Sequence, residues 1–448
     1  MNRIPSRASL ASAVVAAALA LGKTDAFAQS ASETELARRV DQLAAELAKV
    51  KTELAQLQQQ RSTAAMPATA ASSAAAPGVA AAPAVVAAPA TTAQGPGLTV
   101  EPATVLGSYA EIAYSRPTHD SKNTVADLAR FVLAYQHRFD EKTKAVAEFE
   151  VEHAVSSADD RGEAEVEQAY VERQLARDYA IRGGLFLIPA GLLNENHEPT
   201  AYYGVYRNFV ETAIIPSTWR EGGIQIVGAF DNGLTAQAGV TTGFDLNKWD
   251  ANSSEGAKSP LGSIHQELQL ANARDLSVFG ALNWRGVPGL LLGGSLFTGG
   301  ATHGQAPTSA RVALWDLHAR YTPGRWDLSG VYSRGTISNT AALNAPLVGG
   351  TTLIPKSFDG WYGQAAYRVW SNADYSLAPF ARYEEFNTAR TFADLGPGLT
   401  PDAARTERVV TFGANFNIGS GIVVKADYQR FRENRDADRF DLGLGWSF

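Results

Sequence analysis

Charged side chains recur at every second position in several stretches of the sequence. Glu148, Glu150 and Glu152 follow this period, and Arg130 and Arg138 lie eight residues apart. Residues two apart lie on the same face of a β-strand, so each series places fixed charge along one side of a sheet. Charges of mixed sign on a hydrated face attract and orient ions and polar solutes without breaking covalent bonds.

Catalytic and metal-binding motifs are not recognisable in the sequence. The seven histidines show no metal-type spacing such as H-E-x-x-H, and there is no G-x-S-x-G nucleophile elbow. The chain has no Cys, which excludes disulfides, thiolate ligands and a lipid-modified cysteine. We therefore expect no enzyme activity, no cofactor and no metal. A hydrolase is the alternative, because a fold can bring together a Ser–His or Asp–His pair from distant positions.

The charged series belong to segments in which apolar and polar residues alternate strictly. Phe131, Leu133 and Tyr135 alternate with Val132 and Ala134, next to Arg130. Aromatic residues recur near the ends of such segments, as at the two interfaces of a membrane barrel. Sixteen strands are predicted, near residues 106–115, 130–139, 144–154, 164–174, 178–188, 222–231, 234–243, 275–285, 289–298, 311–321, 325–335, 359–370, 376–387, 408–418, 421–431 and 439–448.

The links between these segments alternate in length. "DN", "GVP" and "TPG" are short and rich in turn residues, whereas the links 189–221, 244–274, 336–358 and 388–407 are long. Short turns on one side and long loops on the other are typical of outer-membrane barrels, and a soluble sandwich has no reason to sort its loops in this way. We therefore predict an all-β fold, a 16-stranded antiparallel transmembrane β-barrel, at residues 98–448.

The segment "RFDLGLGWSF" alternates as far as Phe448. A strand with lipid on one side and water on the other has this pattern. We expect the segment to pair with the first strand, because a sheet in lipid cannot leave a free edge. Phe448 is then expected at the periplasmic rim, where it resembles the C-terminal aromatic signal of such barrels.

Residues 1–28 have the features of a secretory signal peptide. Arg3 and Arg7 precede an apolar run at residues 10–21, and an A-x-A site precedes Gln29. An N-terminal membrane anchor is the alternative, but the apolar run is short for a membrane span.

Residues 29–61 are predicted to form a coiled-coil stalk, and residues 62–97 an Ala/Pro-rich linker. The alternative for the stalk is one amphipathic helix packed on a domain. In the linker, Ala, Pro, Ser and Thr dominate and charge is nearly absent, so this segment cannot bury a core. The heptad positions of the stalk are Leu36, Val40, Leu43, Leu47, Val50, Leu54 and Leu57.

The inward-facing series carry arginines and carboxylates, which predicts a wet channel inside the barrel instead of a packed core. The 189–221 link is the longest and is rich in aromatic residues, so we expect it to fold inward and narrow the pore. Packing at a subunit interface or over the barrel mouth is the alternative. For any single charge, a solvated face with neutralising ion pairs is the simpler interpretation. The candidate pore-lining and constriction residues are Arg130, Arg138, Glu148, Glu150, Glu152, Arg182, Glu195, Glu198, Arg207, Glu211, Arg220, Arg320, Arg368 and Arg382.

Two short motifs carry a family resemblance. "GLFLIPAGL" at Gly184–Leu192 and "IIPSTWREGGIQIVG" at Ile214–Gly228 resemble a strand, loop and strand of the phosphate-selective porin O and P family. The resemblance covers residues 100–448 and implies a sixteen-stranded trimeric porin with its third loop folded inward. Phosphate-selective members carry an arginine ladder and lysines on that loop, but this sequence has no Lys between Lys144 and Lys248. The barrel segment from residue 98 has 31 Lys and Arg against 40 Asp and Glu, a net charge of −9.

These observations predict a water-filled channel for small hydrophilic or ionic solutes, narrowed by the 189–221 loop. A phosphate- or anion-selective channel is one alternative. An envelope tether that joins the outer membrane to the cell wall through the stalk is another. The expected partners are outer-membrane lipid, two further subunits of a homotrimer, permeating solutes or ions, and peptidoglycan at the stalk, but not nucleic acid. The expected location is the Gram-negative cell outer membrane, with the stalk in the periplasm.

Overall fold

The computed structural model describes residues 103–157 and 161–448, and Lys49 of the segment before them. The predicted signal peptide, stalk and linker therefore lie outside the described residues. Among the described residues, no helix is both long enough and apolar enough to cross a membrane.

The described residues form one antiparallel sheet of seventeen strands. Sixteen of them are long, and the two-residue strand β13 continues the pairing of β12 along β14. The strands are β1 (Thr104–Pro117), β2 (Val125–Arg138), β3 (Thr143–Glu152), β4 (Ala164–Ala176), β5 (Tyr179–Leu187), β6 (Arg220–Ala229), β7 (Leu234–Thr241), β8 (Ser277–Trp284), β9 (Leu290–Gly300), β10 (Arg311–Tyr321), β11 (Trp326–Ile337), β12 (Ser357–Tyr367), β13 (Trp370–Ser371), β14 (Tyr375–Thr391), β15 (Glu407–Ile418), β16 (Ile422–Phe431) and β17 (Arg439–Ser447).

The sheet closes on itself through its first and last strands. β1 pairs with β2 on one side and with β17 on the other, in a register that places Ile112 opposite Leu444. Phe448 continues this pairing, because its N–H donates to the carbonyl of Ser108 and its own carbonyl accepts from the Ser108 N–H. The predicted closed barrel of sixteen antiparallel strands is confirmed, with all sixteen strands near their predicted positions.

The two faces of the strands differ as the two-residue period predicts. Outward-facing side chains are apolar and exposed; Leu133, Ile224 and Phe412 each have about half of their surface uncovered. Inward-facing Glu150 and Glu384 are almost completely buried. An apolar outer surface of this extent is stable only in contact with lipid or with other protein.

The links follow the predicted sorting into short turns and long loops. β10 and β11, for example, are joined by residues 322–325, whereas residues 338–356 join β11 to β12. From residue 103 onwards, the described helices all lie in links between strands. They are α1 (Glu255–Lys258), α2 (Thr340–Asn344), a π-helical turn at Val210–Ile214, and 3₁₀ turns at Ser121–Asn123, Leu246–Lys248, Gly262–Ile264, Ala345–Leu347 and Arg435–Ala437.

One part of the interior is a packed hydrophobic core, where the sequence predicted a wet lumen throughout. Trp219 is fully buried there, with its ring 4.5 Å from that of Phe297 and 5.1 Å from that of Phe244. The core forms because several long loops fold back over inward-facing apolar residues near the loop ends of the strands. Those strand residues are Phe186, Phe279, Phe297, Val312, Leu314 and Phe358.

Candidate functional site: the long loop and the inner wall

The link between β5 and β6, residues 188–219, is here called the long loop. It contacts inward-facing side chains of strands that lie far apart around the barrel, so it runs through the interior. Three hydrogen bonds with carboxylates of β1, β16 and β14 fix its course. They join the Tyr202 hydroxyl to Glu111 (2.9 Å), the Val205 N–H to Asp427 (2.6 Å) and the Phe209 N–H to Glu384 (2.7 Å).

Glycines of β17 make room for the long loop. A Cβ atom at Gly445 would lie 2.3 Å from Cβ of Pro199, and one at Gly443 would lie 3.1 Å from a methyl of Val205. Next along the same face, the Ser447 hydroxyl lies 3.1 Å from that of Thr200. The alternating glycines of "RFDLGLGWSF" are therefore the seat of the loop, here called the glycine seat (Gly443 and Gly445).

Aromatic contacts extend the attachment of the loop to β14 and β16. The ring of Phe209 stacks on Phe386 at 5.1 Å and meets Phe431 edge-on at 5.4 Å. Tyr203 packs against Phe380, with the ring centres 5.7 Å apart. Aromatic pairs at such separations add to the stabilisation from area burial alone. These contacts account for the aromatic content from which the inward fold was predicted.

Glu211 organises the inside of the long loop. One of its carboxylate oxygens accepts hydrogen bonds from the backbone N–H groups of Leu192 and Leu193, at 2.5 and 2.7 Å. The other accepts from the Asn208 amide at 2.7 Å and from the Tyr362 hydroxyl of β12 at 3.1 Å. Glu211 is 3% exposed, so it is a structural acceptor and does not line a solvent-filled pore.

Arg207 also holds the loop together from within. Its guanidinium donates to the hydroxyls of Ser217 and Thr218, both at 2.8 Å, and to the carbonyl of His197 at 3.2 Å. The side chain is buried. Arg207 was named as a constriction charge, but both of its terminal nitrogens donate to groups of the loop itself.

His197 joins the long loop to β1 and β4. Its Nε2 atom lies 2.9 Å from the Tyr109 hydroxyl and 3.5 Å from the carboxylate of Glu167, and all three residues are buried. Burial disfavours the charged imidazole, but the Glu167 carboxylate outweighs this effect and raises the pKa of His197. A protonated His197 would thus form an ion pair that ties the loop to the wall.

One arginine lies among the carboxylates of β3. Arg130 of β2 lies 3.3 Å from Glu150, 3.5 Å from Glu152 and 3.8 Å from Glu111. Glu148 accepts a 2.6 Å hydrogen bond from Gln168. One guanidinium therefore faces three carboxylates, so mutually neutralising pairs, the simpler interpretation, describe these contacts only in part.

A second group of pairs lies on β4 and β5. Glu172 contacts Arg182 at 2.6 Å and Lys144 at 3.2 Å. Glu195, on the long loop, accepts from the amide of Gln237 at 3.0 Å, and its burial raises its pKa. The predicted residues Arg182 and Glu195 are therefore both held by neighbours inside the barrel.

On the opposite side of the barrel, Arg320 and Arg382 are each paired with a carboxylate. Arg320 forms two hydrogen bonds with Asp327, at 2.9 and 2.6 Å. Arg382 contacts Glu384 at 2.7 Å and also donates to the carbonyl of Tyr203 on the loop. These contacts bring both arginines to the part of the wall that the loop touches.

The remaining predicted residues are not gathered at one place. Arg138 is exposed at the end of β2, and Arg368 lies half-buried between β12 and β13. Arg220 is buried against Glu165 and Glu267, at 2.6 and 3.1 Å. The side chain of Glu198 is half-buried on the long loop.

Several wall residues that contact the loop were not among the predicted ones. Tyr109 and Glu111 lie on the inward face of β1, and Tyr362 lies on that of β12. The two-residue period places all three inward, and this signal could have identified them. The glycine seat has no signal of this kind, because glycine fits either face of a strand.

Comparison with known proteins gives the same architecture. No family model matches the chain. A protein of Aquifex aeolicus (strain VF5), described as uncharacterized, is 28% identical over 354 residues, which are 77% of this chain and 79% of that protein. Salmonella typhi OmpF, solved in complex with daunomycin, superposes with a TM-score of 0.54 at 14% identity, over 77% of this chain and 97% of OmpF. The chain has the fold of an outer-membrane porin.

The outer membrane channel DcaP of Acinetobacter baumannii is similar to a slightly lower extent. It superposes with a TM-score of 0.50 at 12% identity, again over 77% of this chain and 97% of the other. At these identities the likeness concerns the fold, and solute preference has to be argued from the residues of this chain.

Proposed function

We propose that this protein is an outer-membrane porin, a water-filled channel for small hydrophilic or ionic solutes in which the long loop is the constriction. The observation that carries the proposal is the attachment of one loop to inward-facing groups of β1, β14, β16 and β17. A segment that crosses the interior of a barrel and is fixed at several points narrows the passage permanently. The long loops then face the outside of the cell and the short turns face the periplasm.

The charges near the long loop favour a general diffusion channel over a phosphate-specific one. A site that binds phosphate strongly needs several unpaired cationic donors directed at one point. Arg207 is engaged within the loop, and Arg320 and Arg382 are paired with wall carboxylates. The loop also has no Lys. We therefore infer passage through weak contacts at several places, with a modest ion preference.

Single-channel recording of the full-length protein in a planar bilayer tests this function. We expect conductance that rises in proportion to salt concentration, and no block of the chloride current by phosphate at about micromolar concentration, since weak multi-site contacts do not retain an anion. Absence of any conductance would refute the channel. Block at such concentrations would restore the phosphate-selective alternative.

A matched pair of charge reversals locates the narrowest region in the same recordings. Glu198→Lys on the long loop should shift the reversal potential towards anions, because charge at the constriction governs selectivity. Glu141→Lys, in the exposed turn between β2 and β3, makes the same change in total charge and should leave the potential nearly unchanged. Equal shifts would contradict a constriction at the long loop.

We further propose that the barrel is a homotrimer whose subunits meet on the outer surface of β2 to β9. Leu270 is fully exposed, and Leu268 lies over Gly222, on the outward face of β6. Glu267, Leu268 and Leu270 have φ values of 53°, 59° and 49°, a left-handed conformation that costs about 1–2 kcal/mol per residue. A strained apolar segment projecting from the wall is suited to insertion against a second copy of the chain.

Changing this segment should weaken the oligomer. Leu268→Ser with Leu270→Ser removes the apolar side chains while leaving the barrel strands intact, so we expect dissociation at a lower detergent concentration, measured by light scattering. Leu106→Ser with Leu328→Ser, at exposed positions of β1 and β11, is the matched control. A monomeric or dimeric wild-type mass would refute the trimer, and an equal effect of both pairs would refute this interface.

A further inference from the structure

His197 of the long loop lies in a buried cluster of ionisable groups between the loop and the barrel wall. Its side chain is almost completely buried, as are those of Tyr109 on β1 and Glu167 on β4. Its neighbours on the loop, Asn196 and Glu198, are only half-buried. The cluster is therefore a point at which the edge of the loop is sealed against the wall.

Both ring nitrogens of His197 face oxygen atoms. Nδ1 lies 3.0 Å from the carbonyl oxygen of Asn194, which can only accept a hydrogen bond, so Nδ1 carries a proton. Nε2 lies 2.9 Å from the hydroxyl oxygen of Tyr109 and 3.5 Å from one carboxylate oxygen of Glu167. The Tyr109 hydroxyl in turn donates to the other carboxylate oxygen of Glu167, at 3.2 Å.

This hydrogen-bond pattern is complete only when His197 carries two protons. Because the one proton of the Tyr109 hydroxyl is directed at Glu167, the hydroxyl oxygen must accept from Nε2, and the imidazole is then a cation. In the neutral form, Nε2 would accept the Tyr109 proton and Glu167 would lose this donor. A buried carboxylate that loses both a donor and its counter-ion is strongly destabilised.

The charges around the cluster leave Glu167 dependent on His197. Among the described residues, no Lys or Arg nitrogen lies within 4.0 Å of the Glu167 carboxylate. The other charged groups that face the cluster come from β2, β3 and the loop itself, and they are Arg130, Glu148, Glu150, Glu198 and Arg207. Arg130 contacts Glu150 at 3.3 Å, and Arg207 donates within the loop. The imidazole is therefore the counter-ion of Glu167.

We propose that His197, Tyr109 and Glu167 form a pH-sensitive latch on the long loop. While the imidazole carries two protons, the segment 195–198 is docked against β1 and β4 and the passage is narrow. When the imidazole loses a proton, the segment withdraws so that water can reach the Glu167 carboxylate. The contacts of the glycine seat remain, so the movement is local. The inference rests on the proposed function, because passage through the channel is its readout.

The latch is docked at low pH and released at high pH. The Glu167 carboxylate outweighs the effect of burial and raises the pKa of His197 above its ordinary value of 6.5. The docked state is therefore fully stabilised below this ordinary value, and the stabilisation is lost as the pH rises through the raised pKa. We expect a narrow channel in mildly acidic medium and a wider one in alkaline medium.

Conductance of the full-length protein in a planar bilayer, measured between about pH 6 and about pH 10, tests the latch. The wild-type conductance should rise about twofold across this range, because one attachment of the loop is released while the others remain. His153→Gln is the matched control. His153 forms an exposed pair with Asp127, at 2.7 Å, and its replacement should leave the pH profile unchanged.

Two single substitutions should remove the pH dependence in opposite states. His197→Gln leaves Glu167 permanently without a counter-ion, so its conductance should equal the alkaline wild-type value at every pH. Glu167→Gln removes the buried charge, so the loop should stay docked and the conductance should keep the acidic wild-type value. A merely structural role of His197 would not place the two variants at opposite ends of the wild-type range.

A wild-type conductance that does not change with pH would overturn the latch and leave the proposed channel intact. A wild-type pH profile in the His197→Gln protein would do the same. Absence of conductance at every pH would refute the channel, and the latch with it. Heat-modifiable migration shows whether each variant has a folded barrel. If His197→Gln does not fold, Glu167→Gln still decides, because a pH-dependent conductance in that variant would contradict the proposal.

Discussion

Replacing Gly445 by Val is expected to expel the long loop from its seat and to raise the single-channel conductance severalfold. The new Cβ would lie 2.3 Å from Cβ of Pro199, closer than two carbon atoms can approach. Valine is favoured in β-strands, so β17 should keep its pairing while the loop moves away. Overpacking of this kind costs about 1–3 kcal/mol, which is comparable to the attachment of a loop by a few contacts.

Gly363→Val is the matched control. Gly363 lies on the outward face of β12, and no atom is found within 4 Å of a Cβ built there. The control should conduct like the wild type, whereas Gly445→Val should also admit larger solutes, measured by the size cut-off for uncharged sugars. Unchanged conductance and cut-off in a correctly folded Gly445→Val protein would show that the loop does not limit the passage.

The strands and the closure of the barrel could be predicted from the sequence because both depend on local periodicity. All sixteen long strands lie near their predicted positions, although β14 extends to Thr391, beyond the predicted end at residue 387. The extension carries Arg390 into contact with Asp359, while Asn387, at the predicted end, donates to the following loop. Such contacts are tertiary, and the alternation of apolar and polar residues does not predict them.

The course of the long loop could be predicted only in outline. Its aromatic residues indicated burial, but its charges were interpreted as facing water. The structure instead buries Arg207 and Glu211 among donors and acceptors of the loop itself. Whether a loop charge lines a pore or supports a backbone turn depends on which amides come within 3 Å of it, and sequence spacing does not determine this.

The hydrophobic core at the loop end was missed for a related reason. Phe186, Phe279 and Val312 occupy inward-facing positions in strands that also carry polar inward residues, such as Arg182, Asn283 and Asp316. One or two apolar residues on a mixed face are uninformative until the loops that cover them are known.

Replacing Glu211 by Leu is expected to release the long loop from within. The change leaves the N–H groups of Leu192 and Leu193 and the amide of Asn208 without their acceptor. Each unsatisfied buried donor costs about 1–3 kcal/mol, so the loop should lose its single conformation although the barrel strands remain paired. The expected result is a larger and noisier conductance, together with faster hydrogen exchange at the amides of residues 192 and 193.

Tyr362→Phe separates this effect from a general loosening of the wall. It removes one donor to Glu211, at 3.1 Å, and keeps the ring and the remaining three hydrogen bonds. A small change in conductance noise is therefore expected, well below that of Glu211→Leu. Amide protection at residues 192 and 193 that survives the loss of the carboxylate would mean that the glycine seat and the aromatic contacts alone hold the loop, and that Glu211 is dispensable for the constriction.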